Sequence, residues 1–413
     1  MSSLEVAMEN LKVADESANQ IHRKVKILQY NVLAQSYCKS SFLPHVQNRK
    51  HRSWKDRSAR IFRTLDIEDP DLITAQEVDE IETWHSALSK RGYAFQYRQR
   101  TGKREGLLLA WKRQRFCRLT ALPLFEANMD DLADGMVPGS PSCTEYRLHN
   151  LAFGVALQDL HYECPVPHGL FLATTHLYWN PSKEPIKLVQ AEYLIHRLEQ
   201  FYASFPTLIS RDSFPLVLAG DFNSLPSSAV YHFITHGSLP SLQRPPWQKS
   251  SCMQINSSPS FLHRYTSFFP LGTSSSSSSP SPSPSSSPSP SPSSSPSPPI
   301  PIDDSSLTEP NYSATDQARL DESFSSLSLC DFSHSLNLRS AYATNSPEPA
   351  FTNFTPSWSG TIDYIFIQSH AFRTLQVLDI PTEAQVTFEG GGLPNSVFPS
   401  DHVPLAVTLE ILV

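Results

Sequence analysis

One arrangement recurs along this chain and restricts its fold more than any other feature: an apolar run that reads as a buried strand, closed by a polar or charged residue. Its strongest instance centres on Gly220-Asp221-Phe222-Asn223-Ser224-Leu225-Pro226. The run 214–219 predicts a buried strand that Gly220 ends, with a helix to follow whose first turn lies near Pro226 and which carries Tyr231, Phe233 and Ile234. Asp221 and Asn223 then stand at the mouth of a sheet. A carboxylate there can hold a metal or take a proton from water, and an amide can donate to a phosphate oxygen without adding charge. Taken alone, Gly-Asp-x-Asn is more often an ordinary turn. The rest of the chain shifts that balance.

The same arrangement places Asn31 near the end of a strand over 25–33 and Glu77 at the end of a strand over 72–77. His176 closes a strand over 170–176, and Asp363 lies inside a strand over 360–367. Asp401 and His402 open the last strand, in which Leu405, Val407, Leu409 and Ile411 face inward and Thr408 and Glu410 outward. A helix over 54–66 sets Trp54, Ile61 and Leu65 on an apolar stripe, with Arg57, Arg60 and Arg63 off it. Leu188, Ala191, Ile195 and Leu198 mark a second amphipathic helix. An Asp between Ile and Tyr needs a partner when buried, and a histidine would serve. Strand ends converging on one sheet mouth would gather Glu, Asp, His and Asn. That oxygen-rich set suits Mg²⁺, or Mn²⁺ as its substitute, better than zinc. No Ser or Cys sits in a nucleophile elbow and no P-loop is present. The chemistry such a set supports is metal-assisted hydrolysis of a phosphoester.

Composition sets the outer bounds. The 413 residues suffice for a large core, and a net charge of −7 excludes a strongly basic molecular field. A local patch can still hold a phosphate chain, and Arg98, Arg100, Lys103, Arg104, Lys112, Arg113 and Arg115, around a strand over 106–111, form a candidate track. The six cysteines are scattered with no CxxC pair, which argues against a structural zinc or a disulfide scaffold and suits a reducing compartment. Residues 1–24 read as a flexible segment without the apolar stretch of a signal peptide, and no membrane span follows. The expected place is the cytoplasm or nucleus. Residues 274–299 are Ser and Pro only, inside a weaker bias from about 240 to 330. Such a segment cannot bury enough apolar area to order itself. Because strands resume after it, the expectation is one domain over 25–413 with a disordered insertion that offers a protein partner a binding segment.

The motifs together resemble the endonuclease/exonuclease/phosphatase superfamily. They are Tyr30-Asn31-Val32-Leu33-Ala34-Gln35, Gln76-Glu77-Val78-Asp79, Thr175-His176-Leu177-Tyr178-Trp179-Asn180-Pro181, Gly220-Asp221-Phe222-Asn223, Gly360-Thr361-Ile362-Asp363-Tyr364-Ile365 and Ser400-Asp401-His402, all in family order. Within it the chain is similar to the carbon catabolite repressor type deadenylases and to the nocturnin, angel and 2′-phosphodiesterase proteins. The resemblance implies an α/β fold of DNase I type, a four-layer α-β-β-α sandwich of two packed mixed sheets. It implies that Glu77 is the main magnesium ligand with Asp401 beside the metal, and that Asp221 orients or deprotonates the attacking water and touches a second metal. Asn223, His176 and Asn31 would hold the scissile phosphate, and Asp363 would orient His402 against it. Pro181 and Trp358 match the positions that hold adenine, where stacking on an unpaired base is physically sensible. The implied activity is that of a Mg²⁺-dependent 3′→5′ exoribonuclease of poly(A) deadenylase type that acts on single-stranded 3′ ends and releases 5′-AMP. The alternatives are removal of a 2′-phosphate or cyclic phosphate from nucleotides or RNA ends and, remotely, a catalytically dead RNA-binding adaptor. Asn180 and Trp358 depart from the Asp and Phe common in deadenylases. Only about 24 residues precede the domain, so docking to a deadenylation assembly through leucine-rich repeats is not expected.

Overall fold

Strand alternation determines what each face of the molecule buries. In β1 (Lys24–Asn31), Val25 and Ile27 face one apolar layer and Leu28 and Tyr30 the other. The computed structural model describes residues 24–134, 147–161, 167–206, 209, 211–239, 332–344, 346–389 and 391–412. The expected N-terminal segment (but for Lys24) and the expected Ser/Pro insertion lie outside the described residues.

The first sheet adds β2 (Leu72–Val78), β3 (Tyr93–Gln99), β4 (Gly106–Lys112), β14 (Phe372–Val377) and β15 (Leu405–Ile411), in the order β14-β15-β1-β2-β4-β3. The second is built from β5 (Phe116–Arg118), β6 (Phe125–Asn128), β7 (Leu151–Asp159), β8 (Gly169–His176), β9 (Leu216–Asp221), β10 (Leu338–Ser340) and β13 (Asp363–Gln368). Its order is β10-β13-β9-β8-β7-β5, with β6 also on β7. A small hairpin of β11 (Asn353–Thr355) and β12 (Trp358–Gly360) stands apart. The β1/β2 and β8/β9 pairs are parallel and the other pairs antiparallel, so both sheets are mixed. The segments on either side of residues 240–330 pair directly, β9 with β13.

The inner faces meet in one apolar layer. Val25, Ile27, Leu107, Leu109, Val407 and Leu409 pack there against Val155, Leu172, Val217, Ala219, Ile365 and Ile367. The helices α1 (Trp54–Glu68) and α2 (Ile81–Lys90) cover the outer face of the first sheet through Ile61, Phe62, Leu65, Trp84 and Leu88. The outer face of the second sheet receives α3 (Glu184–Ala203) and α4 (Ala229–His236). Phe171 lies 5.0 Å from Phe201, ring to ring, and Tyr231 lies 5.2 Å from Tyr364. The result is the expected four-layer α/β sandwich. Near the sheet mouth the inter-sheet layer turns polar. Gln29 and Gln76 exchange reciprocal amide bonds of 2.5 and 2.8 Å, with Thr74 (2.6 Å) and Thr174 (3.0 Å) completing their needs.

Three local expectations are corrected. Gly220 does not end its strand but lies within it, paired to Tyr364. A Cβ there would come 2.2 Å from the Thr175 carbonyl oxygen, so glycine marks a close strand approach and not a turn. The next helix starts after Ser228, whose side chain caps it, and Pro226 precedes it in a turn. Arg57, expected off the apolar stripe, is fully buried.

Candidate active site

Strand register assembles half of the site. His176 is level with Asp221 across β8/β9, and Asp221 is level with Asp363 across β9/β13. Three motifs far apart in sequence thus present His, Asp and Asp on adjacent strands. His402 enters from the loop before β15, and its Nδ1 lies 2.7 Å from Asp363 Oδ2. Its Nε2 lies 3.7 Å from Asp221 Oδ2, and His176 Nε2 lies 3.5 Å from the same oxygen. All four residues are buried.

The two histidines differ in charge. Burial pushes His402 down, but the Asp363 carboxylate and its hydrogen bond, with Asp401 and Asp221, hold it well above the usual histidine range. His176 is pushed well below that range by burial, Arg100 and His402. One imidazolium and one neutral imidazole therefore flank Asp221. The carboxyl of Asp221 is raised to about 7 by burial and by Asp363. His176 Nδ1 is buried with no hydrogen-bond partner.

Glu77 comes from the other sheet. It lies within β2, at φ +57°, rather than ending the strand. The strained backbone turns its carboxylate into the cleft, where Oε2 accepts from the Ala34 N–H (2.9 Å) and Oε1 from Asn31 Nδ2 (3.1 Å). The same Asn31 Nδ2 donates to Asp221 Oδ2 at 2.9 Å. One buried amide group therefore joins the carboxylates of the two sheets. Burial, then Asp401, then Glu105 raise Glu77 to about 7. Asp401, half-buried, accepts from Asn353 Nδ2 (3.3 Å) and Ser400 Oγ (3.3 Å). No Lys, Arg or His lies within ion-pair range of Glu77 among the described residues. A cleft carboxylate repelled by neighbouring carboxylates fits a hard divalent cation bound through oxygen.

The raised carboxyl of Glu77 predicts how pH acts on the metal-free protein. Folding holds a proton on this group in a range where the unfolded chain, near 4.5, has released it. Its stabilising contribution is therefore present below about pH 4.5 and is lost as pH rises through 7. With discount for the solvent that reaches the group, the change is on the order of 2 kcal/mol. Urea unfolding in EDTA should show Glu77→Gln gaining on the wild type by that amount between pH 5 and pH 8. A pH-independent gap between the two proteins contradicts the assignment.

Asn223 adopts φ +49°. Its N–H donates to Asp221 Oδ1 (2.9 Å) and its Nδ2 to the Leu177 carbonyl (3.0 Å), so part of its donor capacity holds the loop. Two residues that sequence reasoning missed complete this frame. Lys187, buried in α3, donates from Nζ to the Asn223 carbonyl at 2.6 Å. Its signal was a lone cation within the apolar run of that helix. Arg57 donates to the Pro399 carbonyl (2.6 Å), to Gln35 Oε1 (3.0 Å) and to the Val32 and Leu33 carbonyls. It ties the loop after Asn31 to the loop before Asp401.

Pro181 begins a short 3₁₀ turn capped by Asn180 and is exposed. Trp358 is 41% exposed, and a Cβ at Gly360 would meet both its ring and Leu225, which places it beside the loop after Asn223. Trp179 was not singled out in the sequence and is 54% exposed. The proposed basic track is largely neutralised: Arg98 pairs with Glu126, Arg100 with Glu105, Lys112 with Asp69, and Arg115 with Asp71 and Asp159. Among the described residues no helix is long and apolar enough to cross a membrane.

Residues 28–402 match the model of the Endonuclease/Exonuclease/phosphatase family. The chain is similar to carbon catabolite repressor protein 4 homolog 4 of Arabidopsis thaliana, at 29% identity over 94% of this chain and 78% of that protein. It is also similar to the CCR4-Not complex 3′-5′-exoribonuclease subunit Ccr4 of Saccharomyces cerevisiae, at 26% identity over 94% of this chain but 39% of that protein. Among solved structures it resembles ANGEL2, a 2′,3′-cyclic phosphatase, in complex with adenosine-2′,3′-vanadate. That likeness has a TM-score of 0.61 and 23% identity over 94% of this chain and 96% of that one, and it speaks for the fold. The family match over most of the chain, the register that sets His176, Asp221 and Asp363 side by side, and the shared sandwich agree: the chain belongs to the endonuclease/exonuclease/phosphatase family and is a hydrolase of phosphodiester bonds.

Proposed function

We propose that this protein is a Mg²⁺-dependent 3′→5′ exoribonuclease of deadenylase type, which acts on single-stranded 3′ ends and releases 5′-AMP. The observation that carries the reading is the pairing of a cation-free carboxylate, Glu77, with a charged His402–Asp363 pair on opposite sides of Asn31 and Asp221. Asp221, Asp363 and His402 offer ligand atoms within 4.8 Å of one another, yet Asp363 and His402 Nδ1 are spent on each other. Glu77 and Asp401 would therefore be the better holders of a divalent ion, with Asp221 the further carboxylate available to it. When bound, that ion supplies positive charge against the developing oxyanion.

The remaining work falls to side chains. Asp221, raised to about 7, accepts the proton of the attacking water. His402 donates from Nε2 to a phosphate oxygen, and Asp363 fixes its tautomer and charge. Neutral His176 supplies a further donor, while Asn31 Nδ2 gives its two hydrogens to Glu77 and Asp221 and so positions those carboxylates. Pro181 and the exposed ring of Trp358 offer the terminal base an apolar clamp. The relatives' names support RNA as substrate: one is an exoribonuclease subunit, and the Schizosaccharomyces pombe relative C9B6.11c, 30% identical over 53% of this chain, is a probable RNA exonuclease. Product analysis tests the reading. Oligo(A) should yield 5′-AMP in wild type and none in Glu77→Ala/Asp221→Ala. Inorganic phosphate from a dinucleotide 2′-phosphate, or opening of a terminal 2′,3′-cyclic phosphate, with the oligo(A) left intact, would move the assignment to a phosphatase.

A further inference from the structure

Four of the seven residues of the expected track are paired with acids, and further unpaired cations lie elsewhere. Arg49-Lys50-His51-Arg52 form a single helical turn, capped by the Asn48 side chain on the Lys50 N–H (3.0 Å). Arg49 and Arg52, three residues apart, bring like charges to one face of the turn, and the turn holds no acid to relieve them. His51 lies 3.5 Å from Glu389. Among the described residues no carboxylate lies within ion-pair range of Arg49, Lys50 or Arg52. Arg49 and Arg52 line a groove of about 560 Å³ with Ser40, Gln47, Ser53 and the buried Cys38. The Nε of Arg52 is buried and has no hydrogen-bond acceptor. The groove is fastened to the catalytic frame: the Arg52 carbonyl accepts from Gln35 Nε2 (2.9 Å), and the neighbouring Ala34 N–H holds Glu77. Uncompensated like charge at a rigid edge of the site breaks a local rule with no structural gain, which is what a ligand site does. In a chain of net charge −7, a polyanion needs such a local counter-field.

We propose that this groove binds a backbone phosphodiester of single-stranded RNA upstream of the scissile linkage, with Arg49 and Arg52 as the phosphate contacts. The inference rests on the exoribonuclease reading for its substrate, and the groove is tested separately from that reaction. The full chain carrying Glu77→Gln, to block hydrolysis, is titrated against 5′-fluorescein-labelled oligo(A) of 3, 6 and 12 nucleotides at salt between 50 and 200 mM. Anisotropy should show roughly tenfold tighter binding of the longest RNA than of the shortest. Adding Arg49→Glu/Arg52→Glu should abolish that gain and lower the slope of log affinity against log salt by about 1.4, at about 0.7 per lost contact. Arg49→Lys/Arg52→Lys, which keeps the charge, should retain most of the gain. Unchanged melting of the variants separates lost binding from lost fold. Equal affinity and salt slope in the parent and the Glu variant, or no gain with length in the parent, would overturn the groove. Should wild-type protein leave RNA uncut while binding still depends on Arg49 and Arg52, the groove stands and the exoribonuclease reading falls.

Discussion

Asp221→Asn should lower kcat on oligo(A) about 10³-fold while KM moves only a few-fold. The substitution keeps the size of the side chain and one of its two oxygens; turned to the Asn223 N–H, that oxygen, together with the Asn223 bond to the Leu177 carbonyl, should hold the loop, while the bond from Asn31 Nδ2 is given up. What disappears is the one acceptor that lies between a charged and a neutral histidine and is raised to about 7. Loss of a positioned general base costs about 10²–10⁴ in rate, and the buried charge adds to it. Single-turnover cleavage of labelled RNA separates chemistry from product release. A rate within tenfold of wild type would make Asp221 only a structural acceptor.

Arg57→Met should cost about 4 kcal/mol of stability and lower Tm by roughly 10 °C. The guanidinium is fully buried and satisfies carbonyls of Val32, Leu33 and Pro399 together with Gln35 Oε1. Methionine fills part of the volume and leaves four acceptors without a donor. Arg57→Lys should recover less than half of the loss, because one ammonium cannot span acceptors arranged for a planar fork. Urea unfolding measures both. A loss below 1 kcal/mol in the Met variant would show that water replaces the guanidinium, and that Arg57 does not hold the two loops together.

The candidate site is more legible in the sequence than its frame. Asn31, Glu77, His176, Asp221, Asp363 and His402 stood out because a polar residue closing or interrupting an apolar strand needs a partner. The structure gives each a neighbour from another motif, apart from His176, which only approaches Asp221 at 3.5 Å. Gly220 was misjudged because a glycine that permits close strand approach looks, in one dimension, like a glycine that turns the chain. Arg57 was misjudged because helical periodicity reports the apolar stripe and not the carbonyls waiting beyond it. The Gln29–Gln76 seam depends on partners from two strands, and no local pattern announces it; Lys187 shows only as a cation in an apolar run, which does not name its partner. The basic residues near β4 looked like a phosphate track because charge counts in sequence omit the acids that fold against them.

The most direct test of the account is a time course on 5′-labelled RNA ending in twenty adenosines, beside an RNA with a mixed-sequence 3′ end, in Mg²⁺ or in EDTA. The expected result is a ladder that shortens stepwise from the 3′ end of the oligo(A) RNA, slows at the last adenosine, and is absent in EDTA and in Asp221→Asn. Equal shortening of both RNAs would remove the preference for adenosine. An intact RNA in Mg²⁺ would contradict the exoribonuclease assignment itself.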